Sequence, residues 1–286
     1  MSALIKIENL NKSYGKQPVL KDINLTVQPG QILGLVGPNG AGKTTCLQAL
    51  LGLLQYSGNI QVMQHDPSQK RHLMLNDVAY IADVAVLPMW LKVNQAIDYM
   101  ADVHPNFNRD QALTFLAKTN IGLDKRVKAL SKGMVTQLHL ALILAVDAKV
   151  LVLDEPTLGL DIFTRRQFYN HLLEDFYDES KCIIVTTHQI EEIENILTDV
   201  AFIQNGEIVL HESVDHIRNR FKILAVANQE MEQAKSLKPL FSNSMMGITT
   251  MLFDNADEQS LEALGNLTSP SLADVFVGIM SREELA

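Results

Sequence analysis

Residues 37 to 45 read GPNGAGKTT, preceded by the apolar run QILGLVG and followed by the helix-forming stretch KTTCLQALLGLL. This spacing, G-x-x-x-x-G-K-[ST], constrains the fold more than any other feature, because a strand must end, turn through glycines and restart at once as a helix. Such a turn belongs to an α/β core. Gly37, Gly40 and Gly42 allow backbone approaches and conformations that a Cβ would forbid, and with Asn39 and Ala41 they form a loop whose N–H groups face inward. The helix dipole favours an anion at that point. Lys43 adds a charge suited to the β and γ phosphates of a nucleotide, the Thr44 hydroxyl is a ligand for Mg²⁺, and Thr45 extends the same cradle. The competing interpretation, a glycine-rich turn holding no ligand, does not account for Lys43 and Thr44 in this register.

The rest of the chain supplies strands and helices in an order that suits such a core. ALIKIENL and VLKDINLTV alternate like half-buried strands of a small antiparallel sheet, with QPGQ as the next turn. Short strand-like runs appear from Ile60 to Met63 and from Val78 to Ala82. Residues 93 to 146 read as mostly helical, through VNQAIDYMADV, RDQALTFLAKT and an apolar helix opened by LSKGM. KVLVLDE and KCIIVTT are near-continuous β-rich runs, as parallel strands covered on both faces are. AFIQNGEIVLHES places Asn-Gly between two alternating runs, a hairpin signal. After Phe221 the pattern becomes a mixed strand and helix segment, so we expect a main domain over 1–221 and an extension over 222–286, with no internal repeat.

Composition excludes several classes. The 286 residues, 47% of them hydrophobic, can bury a sizeable core. A net charge of −9 argues against a nucleic-acid partner, which favours a basic face. Cys46 and Cys182 sit in apolar surroundings without ligand-like spacing, so buried reduced thiols are expected. The N-terminal residues lack the pattern of a signal peptide. The longest apolar run, LHLALILAV (138–146), is broken by His139 and falls short of the ~18 residues of a membrane span, so no direct membrane insertion is expected.

Three further stretches carry candidate chemistry. VLVLDEP ends a β-rich strand in two carboxylates: Asp154, placed to hold Mg²⁺ through water, and Glu155, placed to orient or deprotonate an attacking water. IIVTTH delivers His188 to the same sheet edge, where an imidazole has the γ-phosphate or the lytic water as partners. Tyr14, expected in a turn after the first strand, is a stacking surface for adenine. Each also has a bland interpretation: solvated acids, a packing histidine, a surface tyrosine.

Taken in order, Tyr14, GPNGAGKTT, LSKGM, VLVLDEPTLGLD and IIVTTH resemble the nucleotide-binding subunit of an ABC transporter over about residues 3 to 220. The resemblance implies a P-loop NTPase core of ABC ATPase type with an antiparallel β subdomain, a helical subdomain over about 84–146 and a small α+β C-terminal extension. It implies ATP and Mg²⁺ as cofactors, and two subunits that sandwich two ATP molecules. Ser131 and Gly133 of one subunit then complete the site built on Lys43 of the other, and Asp161 in LGLD lies at the interface. It also implies a separate transmembrane permease and a peripheral location on the inner face of the cell membrane.

The chain departs from the family at two motifs. LSKGM has Lys132 and Met134 in place of glycine and glutamine, a variant similar to that of bacterial ATPases serving separate membrane subunits of multidrug, antibiotic or sodium exporters. Lys132 either adds charge near the triphosphate or is a solvated residue on a helix's first turn. Asp83 stands where the family has a glutamine that touches Mg²⁺; shorter and anionic, it either binds the metal or fails to reach it. The apolar Val84 to Leu91, with Trp90, is either a receiving surface for the membrane subunit or core. The tail resembles the extension of those exporter ATPases in SPSLADVF, with dimer contacts or regulator docking as its alternatives. A second functional expectation is a soluble ABC ATPase acting on a macromolecular assembly, of the iron–sulfur scaffold type. The stretch between Lys43 and Ser131 is too short for the coiled coil of a DNA-repair ATPase.

Overall fold

A computed structural model describes residues 2–82, 87–227, 230–245 and 248–284. Strands β1 (Ile5–Tyr14) and β2 (Gln17–Val27) form an antiparallel hairpin, with Ile5, Ile7, Ile23 and Leu25 buried as the alternation requires. Tyr14 is the last residue of β1, so the turn begins one residue later than expected, at Gly15. β3 (Ile32–Val36) is buried throughout and runs into helix α1 (Lys43–Leu50). The helix stops there instead of continuing through GLL, because Gly52 turns at φ +64° and any Cβ on it would lie 2.4 Å from the Pro67 carbonyl oxygen.

β4 (Ser57–Val62), α2 (Pro67–Met74) and β5 (Val78–Ile81) follow. The predicted helical stretch becomes α3 (Val93–Val103), α4 (Arg109–Ala117) and α5 (Lys132–Leu144). Then come β6 (Val150–Asp154), α6 (Ile162–His171), β7 (Cys182–Thr187), β8 (Asp199–Gln204), β9 (Glu207–Ser213) and α7 (Val214–Arg220). The remainder holds β10 (Phe221–Val226), α8 (Met231–Ser236), β11 (Phe241–Met245), β12 (Ile248–Asp254), α9 (Glu258–Glu262), β13 (Asn266–Thr268) and α10 (Leu272–Glu284).

Three sheets result. The central one has the order β5-β6-β7-β3-β8-β9, parallel except for β9, which pairs with β8 as the predicted Asn205-Gly206 hairpin. β2-β1-β4 is the antiparallel sheet, and β11-β12-β10-β13 is the sheet of the C-terminal segment. Alternate residues of the central strands divide between two cores, as period-two side chains must. Leu33, Val152 and Ile184 face α1 and the antiparallel sheet, whereas Leu153, Val185 and Leu151 face the helices of 93–144. Both thiols lie in the first of these cores, unpaired, and burial pushes each up to about 12.

The C-terminal segment is packed onto the main body. Phe221, Leu252, Leu272 and Val275 join the larger core, and Phe276 meets Phe202 of β8 edge to face at 5.2 Å. Among the described residues, no helix is long and apolar enough to cross a membrane.

The sheet order decides where the site lies. β3, β7 and β6 are neighbours, so the carboxyl ends that carry the glycine loop, His188 and the two acids open onto one edge of the sheet, the usual position for ligands in this architecture.

Candidate functional site

The glycine loop is shaped by two different requirements. Gly40 at φ +81° and Gly42 at φ +111° occupy backbone conformations that favour glycine, and Gly42 is the N-cap of α1. Gly37 does not; a Cβ there would lie 2.3 Å from the carbonyl oxygen of Ile203 on β8. Its glycine is required by packing against β8, a demand separate from the phosphate turn. The Asn205-Gly206 turn backs the same loop, since the Gly206 N–H donates to the Ala41 carbonyl at 3.2 Å.

Lys43, only 6% exposed, reaches back over its own loop. Its ammonium donates to the carbonyls of Gly37 at 2.7 Å and Pro38 at 3.2 Å, and lies 3.7 Å from Glu155 Oε1. Burial draws its pKa below the usual lysine range, with the carboxylates of Glu155 and Asp154 opposing that shift. A buried cation held by loop carbonyls is placed to donate to phosphate oxygens.

The two acids are held differently. Asp154, buried at the end of β6, accepts the Thr186 hydroxyl at 2.6 Å and the Thr44 hydroxyl at 3.3 Å. Glu155 follows at φ +45°, a left-handed conformation that costs a non-glycine residue roughly 1–2 kcal/mol. Its N–H donates to both oxygens of Thr186, at 3.0 and 3.2 Å, which hold the peptide in that geometry. The side chain turns back to Lys43 and to His188, whose Nδ1 is 2.7 Å from Glu155 Oε2. Thr186 thus anchors both acids. Sequence reasoning missed it, although its place two residues before His188, at the end of a buried strand, is a signal that could have found it.

Tyr14, Asn39, Lys43, Thr45, Glu155 and His188 line a cavity of about 630 Å³, together with Gly40, Gly42 and Thr44. The Tyr14 ring stands half exposed at its rim, with the Lys12 ammonium 4.9 Å from the ring centroid. Thr44 and Asp154 present hard oxygen donors in mutual contact, which fits Mg²⁺. Among the described residues no group of three or more His, Cys, Asp and Glu is placed to hold a metal.

Other predicted residues lie outside this cavity. Ser131 caps α5, its hydroxyl accepting the Met134 N–H at 3.3 Å. Gly133 faces Thr164, whose methyl carbon would be 3.3 Å from a Cβ at 133. Asp161 caps α6 by accepting the Thr164 N–H at 2.9 Å and hydroxyl at 2.7 Å, bonds that hold its carboxyl below the usual range. Gly133 and Asp161 meet at Thr164, Ser131 caps the helix that carries Gly133, and none of the three lines the Lys43 cavity. Asp83 lies outside the described residues, as do Val84 to Val86. Of the apolar stretch that follows, Met89 and Trp90 are exposed, whereas Leu87 and Leu91 pack against the core.

A glycine loop with an inward lysine, a buried aspartate one strand beyond its neighbour and a glutamate turned into the same cavity define a nucleoside triphosphatase of the phosphate-loop α/β class. The ABC transporter family model matches residues 20–158. The lantibiotic transport ATP-binding protein SrtF of Streptococcus pyogenes is 33% identical over 220 residues, covering 76% of this chain and 93% of that protein. The Nod factor export ATP-binding protein I of Cupriavidus metallidurans is 29% identical over 99% of both chains. Among solved structures, an ATP-binding subunit of an ABC transporter superposes with a TM-score of 0.69 at 23% identity, over 76% of this chain and 92% of that one. The cbiO1 protein of Clostridium perfringens, part of the ABC transporter complex cbiONQ, does so with a TM-score of 0.66 at 25% identity, over 83% and 96%. The chain belongs to the ABC transporter family, as an ATP-binding subunit that hydrolyses ATP.

Proposed function

We propose that this chain is the motor subunit of an exporter, and that it drives a separate transmembrane subunit by closing as a dimer around ATP. The observation that carries this reading is the division of the predicted site residues between two patches. Lys43, Thr44, Glu155 and His188 line the cavity, with Asp154 bonded to Thr44, while Gly133 and Asp161 meet at Thr164 and Ser131 caps the same α5 turn. A second copy brings its own Ser131 turn to the γ-phosphate over the first copy's loop, and each chain then completes the other's site. Relatives named for lantibiotic transport and Nod factor export favour an exporter over the assembly-ATPase alternative. The protein then works as a peripheral subunit at the inner face of the cell membrane.

In this reading the Gly37–Thr45 loop and Lys43 bind the β and γ phosphates, and Tyr14 stacks on the base. Thr44 and Asp154 hold Mg²⁺, with Asp83 as a further candidate, and the ion supplies charge that offsets the triphosphate. Glu155 orients the lytic water and accepts its proton; His188 fixes the direction of that carboxylate through its 2.7 Å contact. The 222–286 extension, packed onto the main body, serves dimer reinforcement or regulator docking in this scheme.

Affinity purification of the Glu155→Gln chain from detergent-solubilised native membranes with ATP tests the reading. Recovery of a polytopic membrane protein in fixed ratio is expected, and recovery of soluble partners alone overturns it. Light scattering of the same variant should show a dimer with Mg-ATP and a monomer without; a monomer in both conditions refutes the sandwich.

A further inference from the structure

Lys132, the residue that departs from the family pattern, folds back onto its own chain. A Cβ built on Gly159 would lie 2.3 Å from Lys132 Nζ, so the ammonium occupies the face that glycine leaves open at φ +72°. Gly159 belongs to the turn between Glu155 and Asp161, closed by the Leu158 N–H on the Glu155 carbonyl at 3.1 Å and the Leu160 N–H on the Thr157 carbonyl at 3.0 Å. That turn is tethered on the α6 side, where Thr157 meets the Tyr169 hydroxyl at 3.2 Å and Arg165 donates to the Leu160 carbonyl at 3.2 Å. On the α5 side it is not packed tight. A cavity of about 100 Å³ lies there, lined by Lys132, Thr136, His139, Glu155 and Leu158 among others.

We propose that Lys132 is a positioning residue for ATP hydrolysis, which holds the 157–160 turn through Gly159 and thereby sets the aim of Glu155 in the same chain. The inference rests on Glu155 as the water-orienting group. With a void beside Leu158, the lysine is the bridge that spans from α5 to the turn. The Thr164 side chain lies on the open face of Gly133, so the α5 N-terminus abuts the start of α6 as well as the turn, and a displacement of the Ser131–Gly133 turn is passed to the segment that carries Glu155. A glycine in place of Lys132 has no such reach.

Steady-state ATP hydrolysis and hydrogen exchange on the full chain test this together, with Lys132→Met keeping most of the stem without the charge and Lys132→Arg restoring it. Lys132→Met should lower kcat on the order of tenfold with KM for ATP held within about twofold, since a misaimed water-orienting group costs rate and not binding. In the same variant the Leu158 and Leu160 amides should exchange on the order of tenfold faster, as expected of a loosened local unit. Lys132→Arg should recover most of both. A raised KM with unchanged kcat would instead place the ammonium on nucleotide and overturn the proposal. Unchanged kinetics and exchange would make Lys132 a solvated side chain, and a fall in kcat without faster exchange would remove the turn from the account. The exchange result does not depend on what Glu155 does, so failure of that assignment, seen as unchanged turnover in Glu155→Gln, is distinguishable from failure of this one.

Discussion

Glu155 illustrates how much of the site is decided at single positions. Its left-handed backbone is paid for by two bonds to Thr186, and the return is a carboxylate aimed between Lys43 and His188. We expect Glu155→Gln to bind Mg-ATP with affinity near that of the native chain by isothermal titration while turnover falls by roughly 10²–10⁴, the range for a lost general base. Retained turnover removes Glu155 from that role. His139 titrates in the opposite sense to most histidines that gain a partner, because burial pulls its pKa down to about 4. Above pH 6.5 both folded and unfolded states hold it neutral. Between pH 6.5 and 4 the unfolded chain binds a proton that the folded chain refuses, so stability falls as pH falls, by at most about 3 kcal/mol. Urea unfolding of His139→Gln across that window should show a shallower loss than the native chain; identical slopes rule the effect out. The residue types at 43, 154, 155 and 188 were legible in the sequence, because each ends a strand or opens a helix within a short local pattern. Thr186 was not, because its partners are 31 and 32 positions away and only strand pairing brings them together.

At the scale of elements, the phosphate loop is supported from outside itself. Gly37 rests against β8, and Gly206 in the β8–β9 turn bonds Ala41, so the predicted hairpin is also the seat of the loop. Gly37→Ala should therefore act as overpacking against a backbone carbonyl and destabilise by about 1–3 kcal/mol in urea unfolding, independently of nucleotide. An unshifted midpoint would mean that β8 gives way freely. The helical stretches α3 and α4 matched their sequence patterns closely, since an amphipathic period needs no distant partner to be read. Tyr14 was misplaced by the same local logic: Gly15 marks the turn, but whether the strand reaches Tyr14 depends on its pairing with Gln17.

For the whole molecule, the junction between main body and C-terminal sheet is both apolar and ionic. Arg220, at the end of α7, makes two bonds to Asp254 of β12 at 2.6 and 2.8 Å and pairs with Glu212 of β9, contacts that raise its pKa above the ordinary value. Arg220→Met leaves two part-buried carboxylates without their cation, and a loss of roughly 1–3 kcal/mol is expected. Limited proteolysis should then cut the C-terminal segment sooner; an unchanged pattern would show that the apolar contacts of Phe221, Leu272 and Phe276 suffice. By itself the sequence determined the phosphate loop, the strand-end acids, the hairpin and the buried thiols, because these are carried by spacing and periodicity over a few residues, while the family rested on the resemblance of five motifs in order. Tertiary structure alone decided the order β6-β7-β3, the anchoring of both acids by Thr186, the packing role of Gly37 and the turn of Lys132 onto Gly159. Each of these depends on contacts between segments far apart in the chain, which no local period encodes.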